Sequence, residues 1–378
     1  MGQTVTRHLE SDPVESEWRE LAERRGNGFL TPEWFRAWLR AYGDGVEPFV
    51  PLVRAPGGSL RGLLPLALPR SGHPRVCRLA GANLGDRFHP VCAEGDEVAV
   101  ASEVGRSLAE QPEPWSIVSL IHVETEPPWL EALAEGTGVR LRIRERVAGP
   151  LPYLVLAAHE SWESYLQSGS SNFRQQVRRF RRRAAKAGSM RLRRTERAEE
   201  LPGDMKSFFR LHDLRFGSRG GSTLSSERAR EFHLDFATAA LRRGWLRLWF
   251  LELDGRPAAA WYGWRLGGRY SYYNSGLDPS YSSLRPGWVL LAAVIESAFD
   301  EGAAEFDFLL GNEGYKYRFA EGERTVSDVT IARALPHPAA AWASTEFAAR
   351  RAFRGIPASA KRRLGLAGLA RRRLRRGR

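Results

Sequence analysis

Cysteine is scarce: Cys77 and Cys92 are the two in 378 residues. Two cannot build a disulfide framework, and their spacing matches no zinc-binding pattern. Both read as small buried apolar residues in a reducing compartment. The eight histidines are scattered. His212-Asp213 is an adjacent pair without ligand spacing, so no metal site is expected. No apolar run approaches the ~20 residues that span a bilayer. The opening stretch MGQTVTRHLESD has no basic segment followed by an apolar one, so no secretion signal is expected. There is no Gly-x-Ser-x-Gly nucleophile elbow. The Gly/Ser-rich run FGSRGGSTLSS lacks the lysine of a phosphate-binding loop. It reads as a linker, with a lid as the alternative.

What is present is an ordinary core and a surplus of arginine. Hydrophobic residues make up 43% of the chain, enough for a sizeable interior, and 378 residues make two domains the natural expectation. Basic residues number 57 against 44 acidic, a formal charge of +13. Such a surplus attracts nucleic acid, a membrane face or a phosphorylated ligand. Arginine-rich composition and the C-terminal tail account for part of it.

The same order of elements occurs twice. In the first half Thr31 and Pro32 open a helix whose apolar stripe is Trp34, Phe35, Trp38 and Leu39. PFVPLVRAPGGSLRGLLPLAL follows as a hairpin about Pro56-Gly57-Gly58, then a helix near 95–110 and a strand from Ser116 to Ile121. In the second half Ser225 or Ser226 caps a helix that Gly244 ends, and a hairpin turns at Asp254-Gly255. RYSYYNSGLDP is a third strand. GWVLLAAVIESAFDEG is a helix with Leu290, Leu291, Val294, Ile295 and Ala298 on one face, and FDFLL is the strand after it. This order predicts an α/β fold with mixed sheets, made of two similar domains. The join is expected at RVAGPLPYLVL, giving domains 1–150 and 151–335 and a basic Ala/Arg-rich tail over 336–378.

Two joints carry candidate chemistry. In LDPSYSSLRPGWVLL a strand runs out and Ser283, Leu284, Arg285, Gly287 and Trp288 lead into a helix. A helix N-terminus presents N–H groups and partial positive charge to an anion such as pyrophosphate, Gly287 permits close approach, and Arg285 adds a charged donor. Pro286 supplies no N–H, which thins the set of donors. In FDFLLGNEGYKYRF a strand stops and Asp307, Glu313, Tyr315 and Lys316 cluster after it. Both joints fall at the ends of neighbouring strands, where open α/β sheets gather ligands. A third segment, SGSSNFRQQVRRFRRRAAKAG, is a helix with Phe173, Val177 and Phe180 on one side and no acid elsewhere. It reads as a solvated face or as a groove wall for an anionic acceptor, with Asn172, Arg174 and Arg178 near its start. Tyr273 and Asn274 lie on the third strand, as core or as lining of an acceptor cleft.

With these residues in place the second half resembles the GNAT (Gcn5-related N-acetyltransferase) fold. More narrowly it resembles the BioF2-like, or CelD/BcsL-type, acetyltransferase branch, related to the Fem-type peptidoglycan aminoacyltransferases. The closing pattern Asp-Phe-x-x-Gly-x-Glu-x-Tyr-Lys falls on Asp307, Phe308, Gly311, Glu313, Tyr315 and Lys316. The resemblance covers about residues 150–333, and reaches the first half by its order of elements. It implies a tandem GNAT-like fold with a degenerate first domain, structural or shaping the acceptor cleft.

The activity implied is acyl transfer from acetyl-CoA or another acyl-CoA to an amine or hydroxyl of a sugar-linked or cell-envelope precursor. Glu313 or Asp307 would be the general base, Tyr315 the acid for the leaving thiolate, and Lys316 a stabiliser of the oxyanion or a holder of an anionic acceptor. Residues 283–285, Gly287 and Trp288 would hold the CoA. One alternative keeps the fold and draws aminoacyl groups from tRNA; outside that reading nucleic acid is not an expected partner. Another is a non-catalytic polyanion binder. The protein is expected in the cytoplasm, with its arginine tail a candidate for contact with the inner face of an anionic membrane.

Overall fold

The computed structural model describes residues 12–71, 75–111, 115–217 and 223–333. The Gly/Ser-rich run read as a linker or lid and the basic tail fall largely or wholly outside these residues. The first half runs α1 (Asp12–Arg24), α2 (Pro32–Tyr42), β1 (Val46–Phe49), β2 (Leu52–Arg54), β3 (Leu60–Leu63), β4 (Leu66–Pro69), β5 (Val76–Leu79), β6 (Val91–Cys92), α3 (Glu97–Ala109), β7 (Ile117–Val123) and α4 (Trp129–Gly136). β8 (Leu141–Leu154) leads to α5 (Trp162–Ser168), α6 (Ser171–Lys186), β9 (Met190–Arg194), α7 (Leu201–Phe216) and α8 (Glu227–Arg242). The chain continues through β10 (Leu246–Leu253), β11 (Arg256–Leu266), β12 (Arg269–Leu277), α9 (Pro286–Asp300), β13 (Glu305–Asp307) and β14 (Gly322–Arg333).

Local chemistry sets these boundaries. Thr31 Oγ1 accepts the Trp34 N–H at 3.2 Å and caps α2, with Pro32 at the first helical position. Ser226 does the same for α8 through the Ala229 N–H at 3.2 Å. Asp254 and Gly255 both have positive φ, 49° and 73°, the two-residue turn that the twist of a hairpin favours. The expected hairpin in the first half divides. Its tips, β2 and β3, join β6 in a three-stranded sheet, while its bases, β1 and β4, pair in the main sheet. Pro51 and Pro65 stand at the two divisions.

One sheet of eleven strands runs through both halves in the order β1-β4-β5-β7-β14-β8-β13-β12-β11-β10-β9. It is mixed, and each half holds one parallel pair: β5 with β7, and β12 with β13. The last strand among the described residues, β14, lies between β7 and β8 and pairs with both. The expected join at 150/151 therefore falls inside β8 rather than in a linker. Pro150 and Pro152 are tolerated there because the carbonyls they present on that edge are used and their missing N–H groups face a strand that ends. Phe308 N–H donates to Pro152 O at 2.9 Å and Gly311 N–H to Pro150 O at 3.0 Å.

Two large cores, with a third small cluster of Val76, Ile117 and Ala332, are formed by the described residues. The larger spans both halves: Trp34 of α2 packs edge-on against Phe232 and Phe236 of α8, with ring centroids 4.6 and 4.9 Å apart. The other gathers Leu290, Leu291, Val294 and Ile295 of α9 with Phe173 and Val177 of α6 against Trp261, Tyr270 and Phe306 of the sheet. Aromatic and branched residues on both faces explain why β10–β13 read as near-continuous apolar runs.

Candidate active site

A parallel pair that stops while its neighbours continue leaves a cleft beyond its carboxyl ends. The β12–β13 pair lasts three residues, Arg269–Ser271 against Glu305–Asp307, and the β5–β7 pair likewise spans Val76–Arg78 against Ile117–Ser119. The two clefts meet. Between them lies a cavity of about 240 Å³, lined from the first half by Asn83–Asp86 and His122. The second half supplies Arg215, Phe216, Tyr272–Ser275, Leu310, Glu313, Tyr315 and Lys316.

Four consecutive strand residues lining one cavity contradicts the alternation of a regular strand. The reason is a β-bulge: Gly263 pairs with Tyr272 and Tyr262 with Asn274, which leaves Tyr273 as the extra residue. Gly263 is required opposite it, because a Cβ there would stand 2.0 Å from the Ser271 carbonyl oxygen. The bulge holds Tyr273 with its hydroxyl donating to Leu84 O at 2.7 Å, so the two halves meet along this wall.

The second-half wall is set by Gly311. Its φ is 141°, and a Cβ would meet Glu313 Oε2 at 2.3 Å and Lys316 Nζ at 2.8 Å. The space is taken by an ion pair, Lys316 Nζ to Glu313 Oε2 at 3.1 Å. Lys316 is 5% exposed and also donates to Leu310 O at 3.0 Å and Leu309 O at 3.3 Å, so its three protons are committed. Glu313, half exposed, is the partner that a ligand would displace. Tyr315 donates to Tyr272 Oη at 3.2 Å, and Tyr272 donates to Ser275 Oγ at 2.7 Å. Burial pushes the Tyr315 phenol far up, so it stays protonated.

From the first half Asp86 joins this wall, its carboxyl accepting the Leu310 N–H. Burial raises its carboxyl to about 6, against the pull of His122, Lys316 and the Leu310 N–H. Arg215 lies at the end of α7 over the Phe216 ring, 4.9 Å from its centroid, and donates to Ser275 Oγ. No carboxylate pairs with it among the described residues, and the adjoining run SRGGSTLSS contains no acid. The cavity thus combines a carboxylate of raised basicity, a neutral phenol and two cations.

Of the residues singled out from the sequence, Glu313, Tyr315, Lys316, Tyr273 and Asn274 line this cavity. The others lie elsewhere. Asp307 is 1% exposed and lies behind the wall. Its oxygens accept the Leu309 N–H at 2.8 Å and Arg87 Nη1 at 3.2 Å, so it is a structural acid and not a free base. Asn172, Arg174 and Arg178 do not line the cavity: Asn172 is exposed and accepts from Gln176, Arg174 donates to Gln167 O and Gly169 O, and Arg178 faces solvent near Glu163. Ser283, Leu284, Arg285, Gly287 and Trp288 are also outside its lining. Trp288 packs on Phe319, ring centroids 4.8 Å apart, and on Phe173 and Phe180.

Sequence reasoning missed Asp86, His122 and Arg215. Nothing in GANLGDRFHP marks Asp86 beyond ordinary turn residues, because its meaning comes from a pairing between halves. Among the described residues no group of side chains could hold a metal ion, and no helix is long and apolar enough to cross a membrane.

Residues 171–317 match the acetyltransferase (GNAT) domain family. That segment of the second half is therefore a GNAT acetyltransferase-like domain, and the described residues of both halves form one mixed α/β fold about a shared sheet. Solved structures similar to it include FemX, with a TM-score of 0.60 and 11% identity over 84% of this chain and 95% of that one. The C-terminal domain of a protein named as a lysylphosphatidylglycerol synthetase from Agrobacterium fabrum gives 0.55 and 12%, over 88% and 95% of the two chains. A conserved protein of unknown function from Bacteroides thetaiotaomicron gives 0.53 and 11%, over 85% and 96%. At such identities the likeness is one of fold. No curated protein matches by sequence.

Proposed function

We propose that this acyltransferase uses the cavity between its halves to move an acyl group from acyl-CoA to an amine or hydroxyl of a sugar-linked or cell-envelope precursor, with Asp86 as the general base. The observation that carries the reading is Asp86 itself: a carboxylate raised to about 6, lining one cavity with Lys316, Glu313 and Tyr315. A base of that strength is ionised at neutral pH and still accepts a proton from an attacking nucleophile. As the nucleophile adds to the acyl carbon, negative charge grows on the carbonyl oxygen. Lys316 meets it once Glu313 is displaced. Tyr315 protonates the leaving group. Arg215, a cation without a carboxylate, holds an anionic substituent of the acceptor.

Acyl-CoA supplies an activated thioester, and its pyrophosphate would rest at the N-terminus of α9. That end offers a thin cradle. Pro286 has no N–H, and those of Trp288 and Val289 are spent on Arg285 O at 3.0 and 3.2 Å. The Gly287 N–H and the exposed Arg285 guanidinium remain. This thinness favours a second reading, an aminoacyl ester donor carried by tRNA. The fold likeness to FemX, and to a protein named for making lysylphosphatidylglycerol, lends that reading support. Calorimetry separates the two. Saturable binding of acetyl-CoA supports the first; binding of charged tRNA without any of CoA supports the second. In either case Asp86→Asn lowers transfer by about 10²-fold or more, the usual share of general-base catalysis. A variant as fast as wild type removes Asp86 from the mechanism.

A further inference from the structure

His122 lines the cavity beside Asp86 and is so far without a role. It occupies an unusual backbone position. Ser327 pairs with Val123 and Val329 with Leu120, so Ile121 and His122 together face Asp328 across a bulge. His122 has φ 54°, which is uncommon for any residue but glycine and costs energy that the surroundings must supply. Its carbonyl accepts the Phe88 N–H at 2.9 Å and its N–H lies 3.4 Å from Asp328 Oδ1. Held in this way, the ring turns to place Nδ1 2.7 Å from Gly85 O. A carbonyl oxygen only accepts. Nδ1 therefore carries the proton, and in the neutral ring Nε2 is a bare lone pair with no partner among the described residues. The charged groups about it are Asp328, at its N–H, and Asp86, Arg215, Glu313 and Lys316, which line the same cavity.

We propose that His122 is a second proton acceptor of this cavity, acting through Nε2 when the acceptor is an amine that enters protonated. This rests on the transfer reading above and adds a residue to it. A hydroxyl has one proton to lose, and the leaving group takes it up. An ammonium has two. The first goes to His122 Nε2 and frees the nitrogen lone pair. The C–N bond then forms, the carbonyl pair moves to oxygen, and the carbon–sulfur or carbon–oxygen bond of the donor breaks as that pair returns. Asp86 takes the second proton from nitrogen, while Tyr315 gives one to the leaving group and regains it from Asp86. His122 passes its proton to solvent. Two bases and one acid balance this sequence; a hydroxyl acceptor would leave one base idle.

The discriminating variant is His122→Asn. Asparagine tolerates the left-handed backbone, and its side-chain N–H can keep the bond to Gly85 O while the second ring nitrogen is lost. The first measurement needs no substrate. In the full chain labelled with ¹⁵N-histidine, the His122 signal is assigned by its loss in His122→Asn. At pH 8 it should report the Nδ1-protonated tautomer. Diethyl pyrocarbonate should modify His122 faster than the buried His89 and His233, read by peptide mass spectrometry. An Nε2-protonated ring, or a His122 as inert as those two, overturns the proposal whether or not transfer is seen. The second measurement is transfer from the donor that calorimetry selects to D-glucosamine, with D-glucose as the hydroxyl counterpart. His122→Asn should melt with wild type and lose about 10²-fold in rate with the amine. Unchanged amine transfer, or glucose preferred to glucosamine, overturns it. A wild type inert with every donor counts against the transfer reading and leaves the tautomer to decide the role of His122.

Discussion

Arg87 Nη1 reaches Asp307 Oδ2 at 3.2 Å, joining residues 220 positions apart in sequence. One follows Asp86 in the first half; the other ends β13, four residues before Gly311. Arg87 also binds Glu124 at 2.9 Å, and Asn27 Nδ2 donates to its carbonyl at 3.1 Å. The pair therefore fixes the two walls of the cavity relative to each other.

Removing one partner of this buried pair strands the other. Arg87→Ala or Asp307→Ala should each destabilise the fold by about 3–5 kcal/mol, read as a drop in melting temperature. Asp307→Asn retains a carbonyl oxygen for the Leu309 N–H and should be the milder change. An Asp307→Asn enzyme that folds normally yet loses all transfer would return Asp307 to the chemistry.

Asp86 trades stability for basicity. Its folded value of about 6 lies above its ordinary 3.8, so the folded state holds the proton more tightly. Stability contributed by this group is greatest below pH ~4 and declines as pH rises through ~6, after which the ionised carboxylate is a standing cost. Asp86→Asn should therefore melt higher than wild type at pH 8, and the gain should vanish near pH 4. The same titration sets activity: kcat/KM should fall as pH drops through about 6. A melting difference independent of pH contradicts the raised value.

Gly311→Ala forces a Cβ onto the Lys316–Glu313 pair at a φ of 141°. Backbone strain of that kind costs about 1–3 kcal/mol, and the displaced Lys316 should lower transfer further than the melting temperature implies. A variant with wild-type rate would mean that the pair has no part in transfer.

If the N-terminus of α9 holds the CoA pyrophosphate, Arg285→Glu should weaken acetyl-CoA binding by about tenfold or more, the worth of one charge-assisted contact. Calorimetry measures it. Unchanged affinity places the nucleotide elsewhere.

The second-half wall was legible because its residues are consecutive. Gly311, Glu313, Tyr315 and Lys316 form one short pattern, and the physical reason for the glycine is the ion pair that fills its Cβ position. Tyr273 and Asn274 were visible as a polar end to an aromatic strand, although the bulge that turns both into the cavity leaves no mark in a single sequence. Asp307 misled because a carboxylate at a strand end looks the same whether it is free or spent on an arginine from the other half. Asp86, His122 and Arg215 were illegible for the converse reason: each stands among unremarkable neighbours and gains meaning from strands brought together across the shared sheet. The expected join falls inside β8 for the same reason, since Pro150 and Pro152 signal a break until the partner strand they face is seen to end.

The central claim is that acyl transfer takes place between Asp86 and Lys316, in the cavity where the halves meet. The most direct measurement is a crystal structure with the bound donor, acetyl-CoA or a non-hydrolysable aminoacyl ester analogue as calorimetry dictates. The account predicts the acyl carbon inside that cavity, within reach of both side chains. An acyl group seated elsewhere in a crystal form that still catalyses transfer would contradict it.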